Sequence, residues 1–496
     1  MFYQHRSETD YRHSNYRGST IPLLNFLQLL LVAYLLFLVL MIKKQHTLWV
    51  EIIYLAAPLI LSMTGIVVMQ FIDALFLAWY SSDAISAIVP ASMASNLLVS
   101  PFQATAGFTS TIVAHYTGAG KTQRAFAATW QGIYCAIFSS FMVFGIGFLS
   151  KPLFDFVGHE PSIRPLEEIY FSIMCWGAFP AIAASAISGF FTGRGKTKLF
   201  MIIQLSGILV NALLDYLLIF GKWGFPKLGM TGAALATTFA QIAVCVFLMI
   251  AFLSTYNIKG GHPWRDRHFD KNLFSRLIQF GFPNGLRFGF EMLAWTGFIF
   301  FVGRIGLNEL AATNIAFRIN GFAFFPVIGI GQAVAILVGQ AQGTQDSKRT
   351  VKITYTGLLI SELWMITAAL IFILFPAEIY NLFSSEGYVN FSGISQIGVT
   401  LLKFVAIYSL LDAGNIIFVS ALQAAGDTKW TMFLSIFSHG LFLGALLLAD
   451  LFSFGIWIEW IIATVFVMIV ACLWFFRFRS NAWRAIRVIE KPAEVF

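Results

Sequence analysis

Residues 282–343, which begin FPNGLRFGFE and end VGQAQG, repeat at a constant offset of 225 positions a stretch already present at residues 57–118. Four small or cyclic residues recur in register, without insertion or deletion: Pro58 and Pro283, Ala87 and Ala312, Pro101 and Pro326, and Gly118 and Gly343. A weaker echo follows at an offset of 231: Gly195, Thr197 and Lys198 correspond to Gly426, Thr428 and Lys429. The chain therefore consists of two related halves.

The composition identifies the broad class of protein. Hydrophobic residues make up 58% of the chain, charged residues 11%, and the mean hydropathy is +0.77. Soluble domains carry about 25% charged residues, so this is a polytopic membrane protein. The net charge of +8 is explained by the Lys/Arg bias of cytoplasmic loops, and no nucleic-acid partner is expected. The four cysteines lie in apolar runs, which indicates neither disulfides nor a zinc site.

The first apolar run has no counterpart in the second half. Residues 1–20 are polar, and Ile21–Ile42 is a run of 22 residues that is long enough to span a bilayer. Three interpretations stay open: an extra spanning helix, a signal anchor, or upstream codons before a natural start at Met41.

Twelve further apolar segments follow, six in each half, near residues 49–80, 84–116, 123–150, 165–191, 198–221, 229–256, 273–303, 308–342, 347–376, 394–425, 429–450 and 454–478. Because six is even, both halves enter the membrane from the same side, and their pseudo-two-fold axis runs along the membrane normal. We predict an all-α membrane protein with twelve core helices in two six-helix lobes. Internal duplication of this kind is common in secondary transporters.

The charge distribution orients these segments. With Lys43 inside, the connections on that side hold 21 Lys and Arg, and those on the other side hold 5. This bias predicts that both core termini are cytoplasmic. The predicted organisation is an N-terminal extension (1–42), an N-lobe (43–256), a cytoplasmic linker (257–272), a C-lobe (273–480) and a cytoplasmic tail (481–496).

Enzyme motifs are missing from the sequence. Residues 118–122 (GAGKT) look like the end of a phosphate-binding P-loop, but that motif needs glycine where this chain has His115. The HExxH and GxSxG patterns do not occur. We therefore expect neither an enzyme nor a cofactor, and no metal other than a transported Na⁺.

Charged side chains inside the apolar segments are candidate functional residues, because each costs roughly 2.5–3.5 kcal/mol to insert at the bilayer centre. The candidates are Asp73, Asp215, Arg287, Glu291, Arg318, Glu362, Lys403 and Asp412. Asn211 lies one helical turn before Asp215, so both side chains can converge on one cation. Tyr408 and Asp412 repeat that spacing.

Some of these charges could instead be structural. Arg287 and Glu291, four residues apart, could form an ion pair that only holds the helix, and Glu362 could pair with Lys403. The acids are not repeated between the halves, since position 298, the counterpart of Asp73, is Phe298. Each lobe therefore has its own acidic set.

The chain resembles the multidrug and toxic compound extrusion (MATE) family over residues 43–480. In the first half, the resemblance rests on residues from Pro58 to Ala87 that include FIDA (71–74), and on SGFFTGRGKT (188–197), VNALLD (210–215) and GAALAT (232–237). In the second half it rests on PNGLRFGFE (283–291), AATNIAFRI (311–319) and YSLLD (408–412). Only the set as a whole is specific.

The resemblance implies a fold and an activity. The family's two lobes form a V-shaped cavity and export amphipathic, often cationic, compounds by cation coupling. The residues matching its N-lobe cation and proton site are Asp73, Asn211, Asp215 and Thr237; those matching the C-lobe site of its NorM-like branch are Glu291, Tyr408 and Asp412. Arg287 departs from the pattern and could displace Na⁺ there, and Arg318 and Glu362 are possible modulators. Because both sets are present, the choice between the NorM-like and DinF-like branches stays open.

We therefore predict a monomeric antiporter of the bacterial inner membrane, surrounded by lipid, in which Na⁺ or H⁺ entry drives a small organic compound out. One alternative is a lipid-linked oligosaccharide flippase of the same superfamily. Its pyrophosphate would need a strongly basic cavity, and only Arg287, Arg318 and Lys403 are available. The other alternative, an uncoupled channel or scaffold, is disfavoured by acids in both lobes.

Overall fold

The computed structural model describes residues 46–158, 160–255, 262–383 and 391–490. Apart from short turns and one 3₁₀ helix, η1 (Ala482–Ala485), the regular structure of these residues is α-helical. The apolar run Ile21–Ile42 lies outside the described residues. The helices are α1 (His46–Tyr80), α2 (Ser82–Gly107), α3 (Thr109–Gly118), α4 (Thr122–Gly147), α5 (Ser150–Val157), α6 (Arg164–Trp176), α7 (Ala178–Gly193), α8 (Thr197–Phe220), α9 (Met230–Leu253), α10 (Lys271–Ile305), α11 (Leu307–Gly343), α12 (Ser347–Leu374), α13 (Pro376–Asn381), α14 (Phe391–Ala424), α15 (Thr428–Leu451) and α16 (Ile456–Arg479).

The predicted all-α polytopic fold is confirmed. Eleven spans in the described part of the chain are long and apolar enough to cross a membrane, with α2 and α3 forming one of them. The pair α6 and α7, bent by 45° at Gly177, makes a twelfth if it is counted as one broken span. The segments expected from hydropathy therefore correspond to helices.

The echo at an offset of 231 corresponds to one turn built twice. Gly195 joins α7 to α8, and Gly426 joins α14 to α15. Both glycines have positive φ angles, +75° and +93° respectively. Residues that carry a side chain rarely adopt this left-handed backbone conformation, so both turns need glycine.

The two halves touch along a surface that we call the seam, at the end of the helices that carries the basic connections. Gly118 of α3 packs so closely on α11 that a Cβ atom would overlap the carbonyl oxygen of Gln340. Gly343 of α11 packs in the same way on the carbonyl oxygen of His115. The repeated glycines thus allow the two backbones to approach each other directly.

Hydrogen bonds across the seam follow the same pseudo-symmetry. The ring Nε2 of His115 bonds to the carbonyl of Ala424 at 2.7 Å, and the side-chain amide of Gln340 donates to the carbonyl of Gly193 at 3.0 Å. A carbonyl oxygen can only accept, so His115 carries its proton on Nε2. His115 corresponds to Gln340 at the offset of 225, and Gly193 to Ala424 at the offset of 231.

Candidate functional site

The first-half residues expected at a cation site come from three helices of that half. Asp73 lies on α1, Asn211 and Asp215 lie one turn apart on α8, and Thr237 lies on α9. All four are buried, with Asn211 and Asp215 completely inaccessible. Helices α8 and α9 pack against each other, which places Thr237 on the helix next to the acids.

The carboxyl groups of Asp73 and Asp215 lie close enough together to interact directly. Both carboxylate oxygens of Asp215, both polar atoms of the Asn211 amide and the Oδ1 atom of Asp73 lack a hydrogen bond to any described residue. None of the ion pairs found in the described part of the chain includes Asp73 or Asp215. Buried polar groups are normally satisfied, so these atoms are available to bind a further group.

Tyr170 of α6 also belongs to this cluster, and sequence reasoning missed it. Its buried phenol lies beside Thr237 and within electrostatic reach of both Asp73 and Asp215. A tyrosine in the middle of a helix carries no sequence signal that distinguishes it from the other 14 tyrosines of the chain. We call Asp73, Tyr170, Asn211, Asp215 and Thr237 the first-half site.

The second-half residues are arranged differently. The Arg287 guanidinium forms an ion pair with the Glu291 carboxylate at 2.6 Å, one turn apart on α10. The side chain of Arg287 is 13% exposed and that of Glu291 is 32% exposed. The ion pair expected as one alternative is therefore present, and it already supplies a cation to Glu291.

Asp412 of α14 is buried and accepts a hydrogen bond from the Asn415 amide at 3.0 Å. Tyr408, one turn earlier, is buried within electrostatic reach of Asp412, and Asp412 in turn is within reach of Glu291. The predicted residues Glu291, Tyr408 and Asp412 are thus neighbours across α10 and α14.

His439 of α15 completes this cluster and was also missed. Its ring lies near Glu291 and Arg287, is buried, and donates from Nδ1 to the carbonyl of Ser435 at 2.7 Å. Histidine on an apolar helix is usually a satisfied core residue, so the sequence alone gave no reason to select it. We call Arg287, Glu291, Tyr408, Asp412, Asn415 and His439 the second-half site.

The remaining candidates lie apart from these two clusters. Glu362 of α12 is completely buried, whereas Lys403 of α14 and Arg318 of α11 are exposed. Their suggested roles, including an ion pair of Glu362 with Lys403, stay predictions. Two further acids, Glu167 and Glu459, are buried in the first turns of α6 and α16. Because both lie at helix ends, they cannot be told apart from charged loop residues in the sequence, and they were not predicted as functional residues.

The two sites also differ in depth. Asp73 lies seven residues before the end of α1, or roughly 10 Å at 1.5 Å per residue. Glu291 and Asp412 lie near the middle of α10 and α14. The first-half site is therefore displaced toward the end of the helices opposite the seam.

The chemistry available at the first-half site is that of oxygen ligands alone. Two carboxylates, an amide and hydroxyl groups suit a proton or a hard cation rather than a soft transition metal. Within the described residues, no group of three or more His, Cys, Asp or Glu side chains could hold a metal ion.

A sequence profile described as MatE matches this chain twice, at residues 58–217 and at residues 286–446, which together make up more than half of its length. The chain belongs to the MatE family. The two matches fall in the two halves, so the family profile follows the duplication. This MatE protein is therefore an efflux transporter with a multi-pass membrane fold and not an enzyme, as the sequence predicted.

Relatives of this MatE protein cover nearly all of it. A probable multidrug resistance protein NorM from Synechocystis sp. is 26% identical over 435 residues, which is 86% of this chain and 94% of the relative. A probable multidrug resistance protein NorM from Thermotoga maritima is 26% identical over 460 residues, which is 90% of this chain and 96% of the relative.

Solved structures confirm the fold. An outward-facing multidrug resistance MATE family transporter of the MOP superfamily matches with a TM-score of 0.78 at 18% identity, covering 90% of this chain and 100% of that one. A MOP superfamily transporter from Pyrococcus furiosus matches with a TM-score of 0.77 at 18% identity and the same coverage. The reversed polarity of its binding pocket suggests a different function for that protein. The fold therefore does not identify the substrate, which has to be inferred from the site.

Proposed function

We propose that this transporter exports small organic compounds of the drug type and couples each export step to H⁺ or Na⁺ entry at the first-half site. The observation that carries the proposal is the proximity of two buried carboxyl groups, Asp73 and Asp215, with no positive side chain paired to either among the described residues. The similarity to NorM multidrug resistance proteins supports the substrate class.

The physical basis of coupling is the cost of leaving these carboxylates charged. Two adjacent carboxylates in a low-dielectric interior repel each other, and no positive charge of the described residues lies beside them to offset that repulsion. A proton or Na⁺ relieves this repulsion, so the conformation that closes around the site is favoured only when the ion is bound. Exchange of that ion between the two sides of the membrane then biases the equilibrium between conformations.

The second-half site is the weaker candidate for coupling. A guanidinium 2.6 Å from Glu291 already neutralises that carboxylate. A cation entering there would be repelled by Arg287, and only Asp412 would remain to attract it. We therefore assign coupling to the first-half site and a supporting role to the second-half site.

The lobes proposed from the sequence give the direction of transport. If residues 43–256 and 273–480 form the two lobes and the basic connections face the cytoplasm, the closed seam lies on the cytoplasmic side. The conformation described above is then outward-open. The protein would act as a monomer in the bacterial plasma membrane, with both core termini cytoplasmic.

The test is transport by the purified protein in lipid vesicles with imposed ion gradients, using a fluorescent organic cation as the substrate. One uncompensated charge at 100 mV can hold a gradient of roughly 40-fold. We expect substrate accumulation by the wild type under an outward-directed H⁺ or Na⁺ gradient, because the ion leaves the vesicle as the substrate enters, and none above empty vesicles for Asp73→Asn or Asp215→Asn.

The matched control is Asp83→Asn, which removes an exposed carboxylate from the first turn of α2. This variant should transport like the wild type. Full accumulation by Asp215→Asn at equal protein content would contradict the proposed coupling site.

A further inference from the structure

The chain that follows the last membrane helix is anchored first on the second half. After α16 the backbone reverses at Asn481, whose φ is +58°, and forms η1. The Trp483 ring is fully buried, stacks on Phe478 at 5.3 Å, and donates from Nε1 to the carbonyl of Phe478 at 2.8 Å. This anchor fixes the position from which the tail continues.

Residues 486–490 then extend onto the first half. Val488 is 1% exposed and packs in an apolar cluster with Phe108, Tyr116 and Phe126 of the first half, together with the start of α10. Ile486 and Ile489 pack against the same cluster. The sequence predicted only a cytoplasmic tail at 481–496, so this docking was not expected.

Polar contacts hold this segment to both halves. On the first half, the Tyr116 hydroxyl donates to the Glu490 carboxylate at 2.7 Å, and the Arg124 guanidinium lies 3.5 Å from it. On the second half, the Arg276 guanidinium of α10 donates to the Val488 carbonyl at 3.1 Å. Partial burial raises the pKa of Glu490, but the Tyr116 hydrogen bond and the two guanidinium groups outweigh burial and leave this pKa below its ordinary value.

The second half forms the surface beneath the segment. Gly426, in the turn between α14 and α15, lies against Val488 and Ile486, with 2.6 Å between the position of a Cβ and the nearest Val488 carbon. A side chain at position 426 would push the tail away. Residues 481–490 are thus held by both halves at the same end of the molecule as the seam.

We propose that residues 481–490 form a strap that ties the two halves together at the closed seam and must release the first half each time that end opens. The proposal rests on the alternating access of the proposed function. It assigns to the tail a control over the conformational equilibrium, since contacts made in only one of two states favour that state by their own free energy.

The expected size of the effect follows from the Tyr116–Glu490 bond. A hydrogen bond to a charged group is among the stronger ones in proteins, and its loss should shift the equilibrium toward the open seam by about tenfold. Because the pKa of Glu490 is lowered when the seam is closed, Glu490 stabilises the closed seam fully above the ordinary carboxyl pKa. This stabilisation is lost as the pH falls through the lowered pKa. The strap should therefore stay closed throughout the physiological pH range.

The experiment measures the distance across the seam by electron paramagnetic resonance on the full chain in lipid nanodiscs. Spin labels are placed at the exposed positions Lys196→Cys in the first half and Lys348→Cys in the second, with Cys245 and Cys472 replaced by alanine. The ratio of the long-distance to the short-distance population should rise about tenfold in Glu490→Ala, which removes the acceptor, and in Tyr116→Phe, which removes the donor. The double variant should show little further rise, because both changes remove the same bond.

The matched control is Asp450→Asn, which removes a carboxylate paired with Arg304 at 3.0 Å between α15 and α10, within the second half. It should leave the distance distribution unchanged. Unaltered distributions in both strap variants, or an equal shift in the control, would overturn the strap. The measurement needs no ion gradient, so a strap effect would stand even if the assigned coupling residues proved wrong. A seam that stays closed in every variant would overturn both the strap and alternating access.

Discussion

His115 of the first half and Gln340 of the second occupy equivalent positions and reach across the seam to equivalent carbonyl groups. The charged residues behave in the opposite way, since Asp73 corresponds to Phe298 and the counterpart of Glu291 is Ile66. The duplicated halves thus remain alike where they must close on each other and differ where they carry charge. This difference supports the proposal that only one of the two acid clusters carries the coupling ion.

The main chemical difference between the two sites is one guanidinium. The first-half site leaves its two carboxyl groups without a positive side chain among the described residues, whereas Arg287 pairs with Glu291 in the second. Removing Arg287 should therefore reveal how the second-half site behaves without its own cation.

The largest effect on stability is expected for Glu291→Gln. It leaves the guanidinium of Arg287, whose side chain is only 13% exposed, without its partner, and should cost about 3 kcal/mol of unfolding free energy. Arg287→Gln should cost about 1 kcal/mol, since Glu291 is 32% exposed and can still reach water. The double variant should lose less than the sum of the two, measured by thermal unfolding in detergent.

The Arg287→Gln variant also tests whether the second-half site can bind Na⁺. With Arg287→Gln, Glu291 and Asp412 resemble the first-half pair, so Na⁺ should raise the unfolding temperature of this variant more than that of the wild type. An equal Na⁺ response in both proteins would show that Arg287 does not occupy a cation position.

A smaller effect is expected at the seam, where the halves are alike. Gly118→Ala places a Cβ against the carbonyl oxygen of Gln340 and should destabilise the closed seam by about 2 kcal/mol. Gly145→Ala in α4 is the control, because nothing lies within 4 Å of the new methyl group. The distance between spin labels at Lys196→Cys and Lys348→Cys should lengthen only in the first variant. Equal distance distributions in both variants would argue against close packing at the seam.

The smallest effect is expected for Asp270→Asn at the start of α10, the helix that also carries Arg287 and Glu291. Burial raises the pKa of Asp270, but the Leu273 and Asn272 backbone N–H groups and Arg124, 2.7 Å away, outweigh burial and lower it. Asparagine caps a helix as well as aspartate does, so the change removes only a partly exposed charge, worth about 0.5 kcal/mol.

The pH dependence of this small effect has a definite sign. A lowered pKa in the folded state gives stability that is complete above the ordinary carboxyl pKa of about 3.9. The stability difference between Asp270→Asn and the wild type should thus be constant from pH 6 to 8 and disappear in strong acid. A difference that grew on acidification would contradict the assigned cause.

Much of the architecture could be predicted from local patterns. The hydropathy of the chain locates the spans, and the repeated Gly118 and Gly343 mark the duplication because only glycine permits the backbone contact they make. The acids Asp73, Asp215 and Asp412 could be selected because charge inside an apolar run is costly.

The residues that were missed depend on tertiary packing. Tyr170 and His439 join the two sites only because α6 and α15 bring them there, and neither has a charge or spacing that separates it from a core residue. The docking of Val488 on the first half could not be predicted from the sequence for a similar reason. Residues 481–490 are too few to show a periodic apolar pattern, and the apolar cluster that Val488 joins is assembled from six helices.

The most direct test of the account is the exchange of the coupling ion in each site. Proton release and ²²Na⁺ displacement on addition of an organic cation would be measured for the purified wild type and for Asp73→Asn, Asp215→Asn, Glu291→Gln and Asp412→Asn. The account predicts that ion exchange is lost in the two first-half variants and kept in the two second-half variants. Exchange that survives in Asp73→Asn and Asp215→Asn but is lost in Glu291→Gln or Asp412→Asn would contradict it.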